Sequence, residues 1–217
     1  MFPAKHFAMR GYYDYFLLLS PSEHIDEIVQ QHKQYAAKII GPYSSEHSKA
    51  HISLDQMIRQ KSFIAHPVME QLKKGMRSLP PIELTVDGFD YFNSGGDDFK
   101  TIFAKLRSDH NTTLWFKQVK KFMPHKRFSV PHITICRNIP TADFELLWPY
   151  FKAINWVENF TVAELTILQR ETLDSFAKWE PHLTLPFEAR NLNHPIPPKA
   201  PVKKPKNNTQ DGQMSLF

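Results

Sequence analysis

A histidine followed two residues later by a hydroxyl residue, each with an aliphatic neighbour, occurs three times in this chain. The copies are His51-Ile52-Ser53-Leu54, His132-Ile133-Thr134-Ile135 and His182-Leu183-Thr184-Leu185. In a β-strand, alternate side chains share a face, so each His and its Ser or Thr stand together roughly 7 Å apart while the aliphatic pair faces the core. Two such strands facing each other would offer two imidazoles and two hydroxyls to one ligand. Imidazole gives or takes a proton near neutral pH, and hydroxyls donate to the non-bridging oxygens of a phosphate. The set suits acid–base chemistry on a phosphate ester. No metal or cofactor is expected: His47 and His51 have the i, i+4 spacing of a helical zinc site, but Ile52 and Leu54 favour a strand around His51.

The elements that must position these residues follow from hydrophobic periodicity and breaker residues. Tyr13 to Leu19 reads as a buried strand. Ser20-Pro21-Ser22-Glu23 predicts a capping box, and a helix follows with Ile25, Ile28, Val29, Ala36 and Ile39 inward until Gly41-Pro42 ends it. After the first histidine strand, His66 to Leu79 is predicted helical, Pro80-Pro81 stops it, and Ile82 to Phe92 is a strand. Residues 93–97 form a turn cluster, and the same order then recurs. Thr101 to Leu106 is a strand, Thr112 to Phe122 a helix, Ser129 to Cys136 the second histidine strand, Phe144 to Phe151 a helix and Phe160 to Leu168 a strand. Each half reads strand, helix, histidine strand, helix, strand, which places His51 and His132 in equivalent positions of an internal duplication. The third copy lies beyond that unit, on a final strand from Trp179 to Phe187 at a sheet edge, and His182 reads as structural.

With 217 residues and 41% hydrophobic content the chain can build a substantial core. Its one cysteine, Cys136, excludes an intramolecular disulfide, and no long apolar stretch marks a secretory signal or membrane span, so a soluble, cytoplasmic protein is expected. Of the net charge of +5, +4 lies from Arg190 onward, leaving the body nearly neutral. A broad basic face for duplex DNA is therefore not supported. One local basic stretch, Lys117, Lys120, Lys121, Lys126 and Arg127, precedes His132 and serves equally as a solvated face or a phosphate-attracting rim.

The paired motifs, and Pro131-His132-Ile133-Thr134-Ile135-Cys136-Arg137 with its trailing arginine, resemble the 2H phosphoesterase superfamily of 2′-5′ RNA ligase-like and cyclic phosphodiesterase proteins. The resemblance spans roughly Tyr12 to Phe187. It implies a bilobal, pseudo-symmetric α+β fold with two antiparallel sheets facing a central cleft and helices outside, the lobes falling at roughly 12–92 and 99–187 of a domain covering 1–189. It further implies that His51 and His132 act as general acid and base on a 2′,3′-cyclic phosphate or 2′-5′ bond of RNA or a small nucleotide. Ser53, Thr134 and Arg137 would hold the phosphate, and Phe128 or Trp115 would stack on a base. Asp55 departs from many relatives, where a basic or neutral residue often follows the first motif, and its charge would oppose a highly charged RNA end. The alternative is a non-catalytic phosphate- or nucleotide-binding module recruited to a partner, such as the sliding clamp, through its C-terminal peptide.

Residues 190–212, rich in proline and lysine, read as a disordered tether with a reach on the order of 25–30 Å. Its end, Gln213-Met214-Ser215-Leu216-Phe217, resembles the peptide with which bacterial replication and repair proteins bind the sliding clamp. By that resemblance Gln213 enters a polar subsite, and Met214, Leu216 and Phe217 fill a hydrophobic pocket.

Overall fold

The computed structural model describes residues 11–125 and 130–189. Phe128, with Lys126 and Arg127, and the whole tail including Gln213, Met214, Leu216 and Phe217 lie outside them. Eight strands and four helices follow in the order β1 (Tyr12–Leu19), α1 (Glu23–Ile40), β2 (Ile52–Lys61), α2 (Ser62–Arg77), β3 (Ile82–Asn93), β4 (Phe99–Leu106), α3 (His110–Phe122), β5 (His132–Pro140), α4 (Thr141–Ala153), β6 (Val157–Val162), β7 (Glu164–Glu171) and β8 (Glu180–Pro186). This is the expected α+β architecture.

All pairings are antiparallel and the strand order is β6-β3-β4-β5-β2-β1-β7-β8. The two central strands meet at a single residue pair, Ile52 with Ile133. That one pair joins two four-stranded half-sheets, each with a histidine strand at the seam. Helix α1 packs against α4 and β5, and α2 against α3, β2 and β8, so the helices bury the sheet face that carries Ile52, Leu54, Ile133 and Ile135. At the contact of α2 with α3, a Cβ on Gly75 would run into the Phe122 ring, which accounts for a glycine inside a helix.

The lobes are not the two halves of the chain. β3, from the first half, pairs with β4 and β6, while β7 and β8 return to pair beside β1. The expected division at 12–92 and 99–187 is therefore replaced by one in which each half-sheet draws strands from both halves. The same crossing divides the strand expected over Phe160 to Leu168. Phe160 and Val162 are buried in β6 against β3, Leu165 and Ile167 are buried in β7 against β1, and the alternation slips by one residue at Ala163. A further correction concerns α1: its N-cap is Ser22, which accepts from the Ile25 N–H at 3.4 Å, and Pro21 precedes the cap. With Ile25 in the third helical position, no acidic side chain returns the bond, so there is no capping box.

Candidate active site

The two histidine strands repeat one local design. Leu18 pairs with Ser53 and Leu17 with Asp55, so Leu54 is an extra residue in β2. Phe103 pairs with Thr134 and Ile102 with Cys136, so Ile135 is the corresponding extra residue in β5. A β-bulge thus follows each hydroxyl residue at the same place, and bulges bend a strand and re-aim its side chains.

Extending the Ile52–Ile133 register by one residue sets His51 across the seam from Thr134 and Ser53 across from His132. Ile52 and Ile133 are fully buried, so the four polar side chains occupy the opposite face. Both imidazoles are fixed in the same way. His51 Nδ1 lies 2.8 Å from the Lys49 carbonyl, and His132 Nδ1 lies 2.7 Å from the Val130 carbonyl. A carbonyl only accepts, so Nδ1 carries the proton in each ring and Nε2 is left to exchange one. Among the described residues neither the Ser53 nor the Thr134 hydroxyl makes a hydrogen bond, so both can serve a ligand.

Burial pushes the pKa of His51 below its ordinary 6.5, opposed by the Lys49 carbonyl and assisted by the positive charges of Arg137 and Lys33 and by His132. His132 is lowered likewise by burial and by Arg137, against the Val130 carbonyl. An anion between them would offset the cationic charge that lowers both rings. The recess that would receive it is lined in two parts, both bordered by Ser53 and Arg137. One, of about 360 Å³, is lined by His132, Thr134, Phe92 and Asn138. The other, of about 650 Å³, is lined by Phe16, Asp55, His125 and Trp179.

Ser45, ahead of the His51 strand, and His125, after α3, each bond a residue of the opposite half-sheet. Past Ile133, β5 has no strand beside it on the seam side, and the Ser45 hydroxyl takes over by donating to the Ile135 carbonyl at 3.1 Å and accepting from the Arg137 N–H at 3.0 Å. On the other side, the Asp55 carboxylate accepts from the His125 N–H and faces the His125 ring, both at 2.9 Å. Asp55 is therefore turned to the loop that leads toward His132. It also lines the larger part of the recess, where its charge faces a ligand.

Lys33 is buried to 1% exposure on α1 and donates to the Ser45 carbonyl at 3.0 Å and to the Ser48 hydroxyl at 2.8 Å. Burial lowers its pKa to about 8, opposed by the negative charge of Asp26. Asp26 accepts from the Ala50 N–H at 2.6 Å, one residue before His51. Helix α1 thus holds residues 45–50, and through them the ring of His51. A lysine in the apolar stripe of Ile25, Val29 and Ala36 is the signal for this role, and helical periodicity alone reads past it.

The structure brings Ser53, His132, Thr134 and Arg137 to one recess and sets His51 across the seam from Thr134. His182 stands elsewhere, exposed on the edge strand β8 beside Tyr15 at 5.4 Å and in a different pocket. Trp115 is a core residue whose indole N–H donates to the Pro80 carbonyl, and it is not available for stacking on a base. His47 is exposed beside Glu46, and among the described residues no group of three or more His, Cys, Asp or Glu is placed to hold a metal ion. Sequence reasoning also missed Phe16, edge-on to His51 at 5.4 Å, and Phe92, edge-on to His132 at 5.5 Å. Aromatics on strands carry no distinguishing sequence signal.

An antiparallel α+β fold with one His-x-Ser/Thr motif on each of its two seam strands is the architecture of the two-histidine phosphoesterases. The family model of the 2′-5′ RNA ligase superfamily matches residues 20–174, and the chain belongs to that superfamily. The fold resembles TT0787 of Thermus thermophilus, with a TM-score of 0.60, 13% identity and coverage of 82% of this chain and 100% of that one. It also resembles E. coli LigT complexed with 3′-AMP (TM-score 0.54, 14% identity, 82% and 99% coverage) and with phosphate (0.53, 14%, 82% and 99%). No curated protein matches by sequence.

Proposed function

We propose that the chain is a metal-independent phosphoesterase in which His51 and His132 are general acid and base on a 2′,3′-cyclic phosphate or 2′-5′ phosphodiester. The carrying observation is the matched pair of Nδ1–carbonyl bonds, which leaves both Nε2 atoms free to exchange a proton, with His132 beside Ser53, Thr134 and Arg137 and His51 across the seam from Thr134. One neutral imidazole takes a proton from water as its oxygen attacks phosphorus. The other, protonated, gives its proton to the departing ribose oxygen, and the two exchange roles in the reverse direction. Ser53 and Thr134 donate to the non-bridging oxygens as charge gathers there, and Arg137 adds a charge-assisted contact. Membership of the superfamily, together with the 3′-AMP complex formed by E. coli LigT, favours a nucleotide over other phosphate esters.

The test is turnover of nucleoside 2′,3′-cyclic phosphates and 2′-5′ dinucleotides by chain treated with a chelator. Hydrolysis of one class is expected. Binding without any turnover across the panel would establish the non-catalytic module instead. For the tail we propose docking to a bacterial sliding clamp through Gln213, Met214, Leu216 and Phe217, on the strength of the sequence pattern.

A further inference from the structure

A ladder of side chains runs from the interior of one half-sheet to His51. It begins at Asp14, which is 2% exposed and accepts from the Arg59 N–H at 2.9 Å and the Thr172 hydroxyl at 2.8 Å. Arg170 completes the set with Nε and Nη2, each at 3.0 Å from Asp14 Oδ2. Burial alone would raise the pKa of Asp14, but these hydrogen bonds and the charge of Arg170 hold it below 3.8. The guanidinium is therefore a fixed plane. It lies 4.5 Å from the centre of the Trp179 ring, which lies 5.8 Å from Phe16, which in turn meets His51.

Trp179 sits on the connection between β7 and β8, half-buried, and lines the same recess as Ser53 and Arg137. A guanidinium already paired with a buried carboxylate is poorly suited to seize a phosphate. What this end of the recess offers a ligand is a positioned π surface, while the cation for the anion is Arg137 at the other end. Nucleobases have a π face that stacks on such a ring whatever their sequence.

We propose that Trp179, seated by the Asp14–Arg170 pair, is the platform on which the nucleobase of the ligand stacks on the His51 side of the cleft. The site thereby selects nucleosides carrying a cyclic or linking phosphate over bare sugar phosphates. This deepens the phosphoesterase reading, yet it is read by binding and does not need turnover.

The experiment is a fluorescence and calorimetric titration of the full chain with AMP and with ribose 5-phosphate, beside W179A and W179F. AMP should quench part of the tryptophan emission and ribose 5-phosphate should not. W179A should bind AMP about 10-fold or more weakly with ribose 5-phosphate unchanged, and W179F should recover part of the loss. In turnover, W179A should place the larger part of its defect in KM. The platform is overturned if W179A and W179F bind AMP like the parent, even where the histidines prove catalytic. Loss of AMP binding in W179A from a chain that turns nothing over would uphold the platform and remove the phosphoesterase.

Discussion

His51 and His132 are both depressed in pKa by burial and by Arg137, and this has a kinetic consequence. On the proposed mechanism the free chain needs one ring protonated and one neutral, a state most populated between two pKa values that both lie below 6.5. kcat/KM should therefore peak below about pH 6.5 and fall as pH rises, whereas kcat, which reports the complex with its anion, should peak at higher pH. Coincident maxima above about pH 7.5 would contradict this assignment. Lys33 adds a second handle, because its charge also lowers His51. Lys33→Met removes that charge and one donor from each of the Ser45 and Ser48 carbonyls, which keep the Ser48 hydroxyl and the Gln30 amide, so His51 should rise in pKa and the kcat/KM maximum should move to higher pH. A stability loss of about 1–3 kcal/mol, measured by denaturant unfolding, should accompany it. At this scale the site was largely legible: the pairing of His51, Ser53, His132 and Thr134 follows from alternation along strands. Lys33 and Trp179 were not: Lys33 shows only as a lysine within an apolar stripe, and the use of Trp179 from another element leaves no periodic trace around it.

Residues 45–50, which lead to His51, are anchored on β5 through Ser45, and His125, after α3, is anchored on β2 through Asp55. Asp55→Ala should untie the segment that leads into β5 while leaving the His51 side intact. We expect a loss of about 1–2 kcal/mol in stability from the missing hydrogen bonds and a lower kcat. Calorimetric melting and initial rates check both, and parent-like values in each would show that Asp55 does not hold the loop. Element type was readable almost throughout, since helix and strand periods are distinct. The failures fall at Phe160 to Leu168 and at the lobe boundary, and they share a cause. Apolar residues show that a strand is buried, but the pattern does not say which neighbour buries it. Only pairing reveals that β6 belongs with β3 and β7 with β1.

The whole molecule has a nearly neutral body and concentrates its charge excess in residues 190–217. Substrate capture should therefore rest on local contacts such as Arg137 more than on a long-range field. Removing residues after Gly212 should leave turnover of a small cyclic phosphate unchanged and abolish recovery of the chain on immobilised sliding clamp; equal recovery with and without the peptide would remove the clamp as partner. Among the described residues no helix is long and apolar enough to cross a membrane. The pseudo-symmetry seen in element order recurs in the seam strands, where bulge, hydroxyl and Nδ1–carbonyl bond are all repeated, and it survives the strand exchange, since β3 pairs beside β4 as β7 pairs beside β1.

The central claim is that two of the three histidine motifs form one acid–base pair. Rates of nucleoside 2′,3′-cyclic phosphate hydrolysis by folded H51A, H132A and H182A, measured at saturating substrate, test it most directly. H51A and H132A should each lose roughly 10²- to 10⁴-fold in kcat, with H182A close to the parent. Full activity in either H51A or H132A, or inactivation by H182A alone, would contradict it.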